Sequence, residues 1–514
     1  MPKGYKYLAD IVIIFISFAL ALFSYWQILN VALTPEDFEW ISKVNTLSAT
    51  NLFKVFLPPV LGGVEVMLHR VTPFVSLSFW LDWKIGGANP FYYHMTQLLF
   101  HMGIIFLLYR LAKKLFIKSP KAVYQIVVSS SVFFFAVFPF HSETVSWNGA
   151  RPDMVVAFFY LLSLYFYIRF LESKIRYLFP SAIFFAIAIF SKENAITLPV
   201  VAILFGIYLQ KKVYWSSLLP FLIVVLFWIF NYIFLNPHDE GCTLSCQQFL
   251  ISRVFLIYLT VSVLLLPFLK ALRFEETGRL LFYWLIFGVL FSPTIFLPTS
   301  ERYLYLSSIA LSLFFGEALV VFYKRISKYL PITTTRVILV SIVSLIILLE
   351  AGFLYVRNKR WVVAGTIIDN VLKQTAIYTE DSNDNSNLYF LNLPNGYQKS
   401  FVFQGKAFDQ MLKLAGIKFR TAHVIAYNLD VGNSKVRIID DQTILLSSET
   451  PFIISPSEKP HYNHQGNQVI ETAFYYGIFS NDSLDIQINL KQQSLKSDNS
   501  YVFYFDGTEL REIK

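Results

Sequence analysis

The chain has 514 residues, of which 55% are hydrophobic and 18% aromatic, and its mean hydropathy is +0.52. These values exclude an ordinary soluble protein and predict a polytopic α-helical membrane protein. The net charge is +9, but the basic residues form short clusters between apolar runs and no single stripe. We therefore interpret them as topology signals and expect no nucleic-acid partner.

The N-terminal segment carries Lys3 and Lys6 before the apolar run LADIVIIFISFALALFSYW. This run is too long for a signal-peptide core and has no small-residue cleavage site behind it, so we expect it to remain as the first span. Apolar windows along the chain predict about eleven membrane-spanning helices. They lie near residues 9–30, 94–112, 124–140, 154–170, 177–191, 195–210, 214–235, 250–269, 280–297, 303–322 and 336–357.

Basic residues are concentrated in every second link between these windows, at 110–121, 169–176, 211–212, 270–279 and 324–336. The opposite links are nearly free of lysine and arginine. The positive-inside rule then places the N-terminus in the cytoplasm and, with an odd number of spans, the C-terminus outside. We expect a multi-pass protein of the inner (cytoplasmic) membrane.

Four polar segments fall on the outer face in this topology: LTPEDFEW at 33–40, HSETVSWNGARPD at 141–153, FSKENA at 190–195 and PTSERYLYL at 298–306. Ionisable groups at the ends of membrane helices are costly to desolvate unless they are paired or hydrated. Several such groups on one face indicate a functional site, so we expect the four segments to converge. The first outer link, 31–93, is predicted to carry interfacial helices.

The character of the sequence changes after the predicted transmembrane domain, residues 1–357. Residues 358–384 predict an amphipathic helix and a linker, and residues 385–514 predict an extracytoplasmic β-rich domain of the sandwich type. One helix, GKAFDQMLKLAG, interrupts the strands. The pair Asp506-Gly507 predicts a hairpin turn.

Cysteine and histidine do not indicate a metal site. Cys242 and Cys246 are too few for a disulfide framework and make a poor zinc site; they form one local disulfide or stay as two free thiols. His94, His101 and His141 lie near predicted helix ends, where hydrogen-bonded interfacial histidines are the favoured interpretation over ligands.

The order of three motifs resembles a known family. HSETVSWNGARPDM precedes a span, SKENAITLP and SERYLYL follow, and TPFVSLSFWLDWKIGGANPFYYHMTQLLFH occupies residues 72–101. Together they resemble bacterial GT-C membrane glycosyltransferases related to the transmembrane and tetratricopeptide-repeat protein O-mannosyltransferases, over about residues 30–310. The resemblance implies transfer of a sugar from a polyprenyl-phosphate donor to an acceptor hydroxyl on the outer face. The acceptor would be protein Ser/Thr, or a cell-envelope glycan or lipid, and no cofactor is implied.

The sequence departs from the family pattern in two places. No 34-residue period follows the membrane part, so tetratricopeptide repeats are not implied. The family commonly has Arg directly before the proline that is Pro73 here, whereas this chain has Thr72, with Arg70 two residues earlier.

A carboxylate must take the proton of the acceptor hydroxyl as the new bond forms. In the fold that the resemblance implies, it sits just after the first span, and Asp37, with Glu36 beside it, matches that position. The alternative is structural, because Thr34-Pro35-Glu36-Asp37 is also a good helix start with a capping threonine, a proline and two acids in the first turn.

The leaving lipid phosphate needs a fixed cation. Three outer-link cations run against the topology bias and are candidates: Arg302, Lys192 and Arg151. The alternative is a structural ion pair for each, with Glu143 or Asp153 for Arg151, Glu193 for Lys192 and Glu301 for Arg302. We expect Glu143 and Asp153 to orient Arg151. A lipid monophosphate offers no diphosphate for a cation to bridge, so we predict no metal.

Two other functions compete with the enzyme. A transporter or lipid-linked sugar flippase requires charges near mid-span and inverted repeats. The charges here cluster at the predicted outer ends. A sensor or assembly protein would account for residues 385–514 but would leave the four outer segments without a purpose.

Overall fold

The computed structural model describes residues 3–513 except 59–60, 65–71, 173–174, 211–213, 232–273, 296, 298, 404–406, 441, 455–460, 463–466, 473–474, 481 and 492–499. The chain forms two compact units. The first comprises Met1–Leu29, Thr46–Ile85 and Tyr92–Asn358, and the second comprises Asn30–Asn45, Gly86–Phe91 and Lys359–Lys514.

Helices dominate the described residues up to 378. In chain order they are α1 Lys3–Tyr25, α2 Pro35–Val44, α3 Pro73–Gly86, α4 Pro90–Leu115, α5 Tyr124–Ala136, α6 Ser142–Ser146, α7 Arg151–Leu171, α8 Leu178–Ile189, α9 Leu198–Gln210, α10 Leu219–Phe230, α11 Phe274–Phe291, α12 Leu304–Ile326 and α13 Ile332–Tyr378. A short helix, α14, follows at Phe408–Leu414.

Five of the described helical segments are long and apolar enough to cross a membrane: Leu8–Ile28, Pro90–Lys118, Asn148–Leu171, Glu301–Ile326 and Ile332–Tyr378. A sixth results if Tyr124–Ala136 and Pro139–Ser146, which are bent by 41°, form one span. Shorter apolar helices occupy Ile175–Ile189, Glu193–Leu209, Trp215–Phe230 and Gly278–Thr294. Ten of the eleven predicted windows thus coincide with helices, while window 250–269, Cys242 and Cys246 lie outside the described residues.

Small polar side chains hold neighbouring helices together. Ser163 on α7 donates to the carbonyl oxygen of Ser181 on α8 at 2.7 Å, and Ser181 Oγ donates back to the carbonyl of Ser163 at 2.8 Å. Serine allows close approach and satisfies its hydroxyl across the interface, which is how helices associate in an apolar solvent. This pairing joins α8 to α7, whose first turn carries Arg151 and Asp153.

The predicted amphipathic helix at 358–377 is not a separate element. It is the last part of α13, which runs without a break for 47 residues. The sequence NKRW at 358–361 contains neither proline nor glycine, so nothing in the local backbone chemistry ends the helix there.

The C-terminal part is mainly β, as predicted. Its strands are β1 Asn387–Pro394, β2 Gly396–Tyr397, β3 Ser400–Phe401, β4 Thr421–Asn428, β5 Ser434–Ile438, β6 Thr443–Ser448, β7 Phe452–Ile454, β8 His461–Tyr462, β9 Gln468–Glu471, β10 Tyr475–Phe479, β11 Asp485–Leu490, β12 Ser500–Phe505 and β13 Leu510–Glu512. The apolar stretch at 468–479, QVIETAFYYGIF, contributes two of these strands, β9 and β10, which pair antiparallel.

Two sheets enclose the core of this domain. One has the order β13-β12-β1-β4-β7, with β1 parallel to both β4 and β12, and the other has the order β5-β6-β11-β10-β9-β8. Tyr389 and Ile425 from the first sheet and Leu446 and Ile488 from the second belong to the same buried cluster. The arrangement is a sandwich in which alternate residues face the opposing sheet.

Candidate functional site

Three of the four polar segments predicted to converge meet in the first unit. They form short turns at the ends of helices: Pro139–His141 before α6, Asn148–Ala150 before α7, Glu193–Thr197 before α9 and Glu301–Tyr303 before α12. The turn at Glu301–Tyr303 packs against α6. The fourth segment, 33–40, lies in the second unit.

Glu143 on α6 is bound by the turn that precedes α12. Ser300 Oγ donates to Glu143 Oε1 at 2.5 Å, and the backbone N–H of Glu301 donates to Oε2 at 2.9 Å. Arg302 Nη1 donates to Oε1 at 3.4 Å. The Glu143 carboxylate therefore binds both the backbone of this turn and the guanidinium group of Arg302. The Arg302 side chain is still 23% exposed.

Lys192 is paired with Asp153 in the first turn of α7. Its Nζ lies 2.6 Å and 2.7 Å from the two carboxylate oxygens of Asp153. The same Nζ lies 4.9 Å from the ring centre of Tyr303. The guanidinium carbon of Arg302 lies 5.2 Å from the centre of the same ring. Arg302 also lies 4.8 Å from the ring of Trp147. Two cations thus meet around one tyrosine ring, an arrangement that cation–π attraction favours.

Arg151 has a different environment from the other two cations. Its side chain is completely buried, and Nη1 donates to Asp82 at 2.5 Å while Nη2 donates to the carbonyl of Tyr93 at 2.9 Å. Its guanidinium carbon lies 4.0 Å from the ring of Phe79. A buried charge of this kind is tolerated only with a close partner and further hydrogen bonds, and both are present.

The predicted ion-pair partners were wrong for all three cations. Arg151 pairs with Asp82 and not with Glu143 or Asp153, so those two carboxylates do not orient it. Lys192 pairs with Asp153, and Arg302 pairs with Glu143. The predicted partners were near neighbours in sequence, whereas the observed carboxylates lie 39 to 159 residues away along the chain. Glu193 begins the turn Glu193–Thr197.

Two residues of this region were missed by sequence reasoning. Arg357 on α13 forms an ion pair with Glu301 and lies 4.9 Å from the ring of Phe140. Asp82 on α3 is 3% exposed and also accepts a hydrogen bond from Thr96 at 2.6 Å. The available signal for Asp82 was a single acid inside the aromatic run FWLDW. Arg357 stood at the outer end of the last predicted span, where a cation runs against the topology bias, and that signal was not used.

Asp37 and Glu36 lie in the first turn of α2, in the second unit. The backbone N–H of Thr34 donates to Asp37 Oδ2 at 2.8 Å, and the backbone N–H of Asp37 donates to Thr34 Oγ1 at 3.4 Å. This reciprocal pair is a capping box, with Pro35 in the first helical turn. Asp37 is 1% exposed, and Glu36 is partly exposed. The cap engages one carboxylate oxygen, so capping does not exclude proton acceptance.

Three histidines of the first unit, His94, His101 and His141, are buried in hydrogen-bonded positions. His101 Nδ1 lies 2.7 Å from the hydroxyl of Tyr305, and His141 Nε2 lies 2.7 Å from that of Ser308. His94 Nδ1 lies 3.5 Å from the amide nitrogen of Asn148. Within the described ranges, no group of three His, Cys, Asp or Glu side chains could hold a metal ion.

Fold and composition define a polytopic α-helical membrane protein with a C-terminal mainly-β domain. Residues 70–235 match the family described as dolichyl-phosphate-mannose-protein mannosyltransferase, which confirms the resemblance predicted from the motifs. This stretch includes Glu143, Arg151, Asp153 and Lys192, while Arg302 lies beyond it.

Curated relatives are similar over a limited stretch. Mouse protein O-mannosyl-transferase TMTC2 is 26% identical over 154 residues, and the Xenopus laevis protein of the same name is 27% identical over 146 residues. These matches cover 29% and 27% of this chain, but only 18% and 17% of the relatives. A solved structure, ArnT from Cupriavidus metallidurans bound to undecaprenyl phosphate, aligns over 83% of this chain and 86% of its own, with 12% identity and a TM-score of 0.46.

Proposed function

We propose that this chain is a membrane glycosyltransferase that moves a sugar from a polyprenyl-phosphate donor to an acceptor hydroxyl. One observation carries the proposal: Arg302 and Lys192, both partly exposed, meet around Tyr303. Lys192 belongs to the stretch that matches the dolichyl-phosphate-mannose-protein mannosyltransferase family. Dolichyl phosphate is a long-chain polyprenol phosphate, so the family description supports this donor class.

The two cations suit a leaving phosphate. As the bond from the sugar to the phosphate breaks, negative charge grows on the phosphate oxygens, and preorganised cations stabilise it. Arginine carries five N–H donors in a planar fork, and the bonds to Glu143 and Tyr303 use its two terminal nitrogens once each. Because Glu143 and Asp153 hold the cations in place, little reorganisation is needed when a phosphate arrives.

Arg151 receives a different role in this proposal. A phosphate would have to displace the buried carboxylate of Asp82 to reach it, and that would leave a charge unpaired in an apolar interior. We therefore assign Arg151 to holding α3, α4 and α7 together and keep Arg302 and Lys192 as the phosphate ligands. Asp37 is the proposed general base, a role that the family resemblance supports, with Glu36 as the alternative carboxylate.

Substitution of the two cations tests the donor site. Arg302→Ala and Lys192→Ala should each lower transfer from a polyprenyl-phosphate sugar by about 100-fold, because each removes a fixed charge from the leaving phosphate. The measurement is transfer by purified protein in detergent, with a panel of lipid-linked sugars and with peptide, glycan and lipid acceptors.

Arg110 offers a matched control for Arg302. It also bonds a tyrosine hydroxyl, that of Tyr165 at 3.0 Å, and lies 5.7 Å from that ring, but it belongs to a different region of the unit. Arg110→Ala should transfer sugar like the wild type. Full turnover in both Arg302→Ala and Lys192→Ala would remove the donor-site assignment.

A further inference from the structure

The segment that carries Asp37 is part of the same compact unit as the C-terminal domain. Residues 30–45, which we call the first-link segment, group with residues 359–514, although more than 300 residues of chain separate them. Links usually pack against their sequence neighbours, so this association calls for a physical explanation.

Apolar packing joins the first-link segment to the C-terminal domain. Helix α2 packs against α14. Both helices carry large buried apolar side chains: Phe38, Trp40 and Ile41 on α2, and Phe408, Met411 and Leu412 on α14. The two parts also interact electrostatically: burial raises the pKa of Tyr427 on β4, and the negative charge of Glu39 on α2 raises it further.

A close backbone approach fixes the start of the segment. A Cβ atom added to Gly365 of α13 would lie 2.6 Å from Val31 Cγ1 and 3.0 Å from the backbone nitrogen of Ala32. Glycine is therefore required by space at this point and not by backbone conformation. Residues 31 and 32 stand directly before the Thr34–Asp37 capping box, so any shift of their backbone moves the cap and the Asp37 carboxylate with it.

We infer that residues 359–514 position the first-link segment for the transfer reaction. Gly365 is a positioning residue, because the backbone of α13 comes closest to the segment there. The inference rests on the proposed function, in which Asp37 is the base. It gives the C-terminal domain a task that its own side chains do not reveal: it holds α2 in the orientation that the chemistry needs. Displacement of a reacting group by about 1 Å can cost about 100-fold in rate.

Two glycines of α13 provide the experiment. Gly365→Ala puts a methyl group against Val31 and Ala32, whereas Gly352→Ala puts the same group into open space. Both changes raise helix propensity equally, so the comparison isolates the contact. In the full chain, Gly365→Ala should lower kcat about tenfold or more, leave the KM for the lipid-linked sugar unchanged, and speed hydrogen exchange in residues 30–45. Gly352→Ala should match the wild type.

A second-site change separates positioning from general damage. Val31→Ala removes the Cγ1 atom that the new methyl group meets first, so the double variant Gly365→Ala/Val31→Ala should recover part of kcat and of the exchange protection. Equal turnover and equal exchange in Gly365→Ala and Gly352→Ala would overturn the inference and leave the proposed function intact. A wild-type protein that transfers no sugar would instead overturn the proposed function, and the inference with it.

Discussion

One substitution distinguishes the two roles considered for Asp37, that of a capping residue and that of the general base. Asparagine accepts the hydrogen bond from Thr34 as aspartate does, but it takes up no proton at neutral pH. Asp37→Asn should therefore leave thermal stability within about 0.5 kcal/mol of the wild type and lower transfer by about 100-fold or more. Thermal unfolding and single-turnover transfer by the same preparation check both expectations.

Glu36 supplies the internal control, since it neighbours Asp37 and makes no bond in the capping box. Glu36→Gln should reduce transfer less than Asp37→Asn. An inactive Glu36→Gln beside an active Asp37→Asn would transfer the role of base to Glu36. Two active variants would leave the first link without a base.

The residue types of the site were easier to predict than their ion-pair partners. The residue types of the site, and the segments that hold Glu143, Lys192 and Arg302, followed from polar motifs at the ends of apolar runs. Their pairing did not, because Glu143 reaches Arg302 across 159 residues of sequence. Which carboxylate meets which cation depends on how helices pack, and apolar periodicity carries no information on that choice.

Among the elements, the hairpin β12–β13 depends on one aspartate. Asp506 accepts hydrogen bonds from the backbone of Thr508 at 2.8 Å and of Glu509 at 2.9 Å, and from Arg511 Nε at 2.9 Å. Partial burial by itself would raise the pKa of Asp506, but these bonds outweigh it and lower the pKa to about 2. The next residue, Gly507, has φ +110°, a conformation that side chains rarely adopt.

The sign of the resulting pH dependence follows from the lowered pKa. A carboxylate with a folded pKa below its unfolded value stabilises the hairpin above about pH 4 and loses that contribution as the pH falls toward 2. Asp506→Ala should reduce local stability by about 1–2 kcal/mol at neutral pH and flatten this acid dependence. Hydrogen exchange of the β12 and β13 amides, followed as a function of pH, measures this local stability. Asp384→Ala, at an exposed linker carboxylate, should leave that exchange unchanged; an equal effect there would refute the explanation.

Helices and strands were predictable where their signals are local. Long apolar runs predicted the helices, and the Asp506-Gly507 pair predicted its hairpin. The length of α13 was not predicted, because the polar residues after Arg357 suggested that one helix ends there and another begins. The structure has a single continuous helix. Polarity changes the solvent that a helix prefers and does not by itself end it.

At the scale of the whole molecule, the charge distribution predicts that residues 380–514 lie outside the cytoplasmic membrane. A reporter that is active only in the cytoplasm, fused after Lys514, should be silent. The same reporter placed in the link at 324–330, where Lys324, Arg325 and Lys328 lie, should be active and serves as the control. An active C-terminal fusion would show an even number of spans and separate the C-terminal domain from the predicted outer segments.

The second unit combines an early part of the chain, residues 30–45, with a late part, residues 359–514, and this affects biogenesis. The first-link segment leaves the ribosome about 310 residues before the chain that it packs against, which corresponds to roughly 15 to 60 s of synthesis at typical rates. During that interval the apolar face of α2, with Phe38 and Trp40, has no folded C-terminal domain to cover it. We expect lipid or chaperone contacts to cover this face until residues 359–514 have folded, so a nascent chain that stalls before them would insert its helices and leave α2 without its partner.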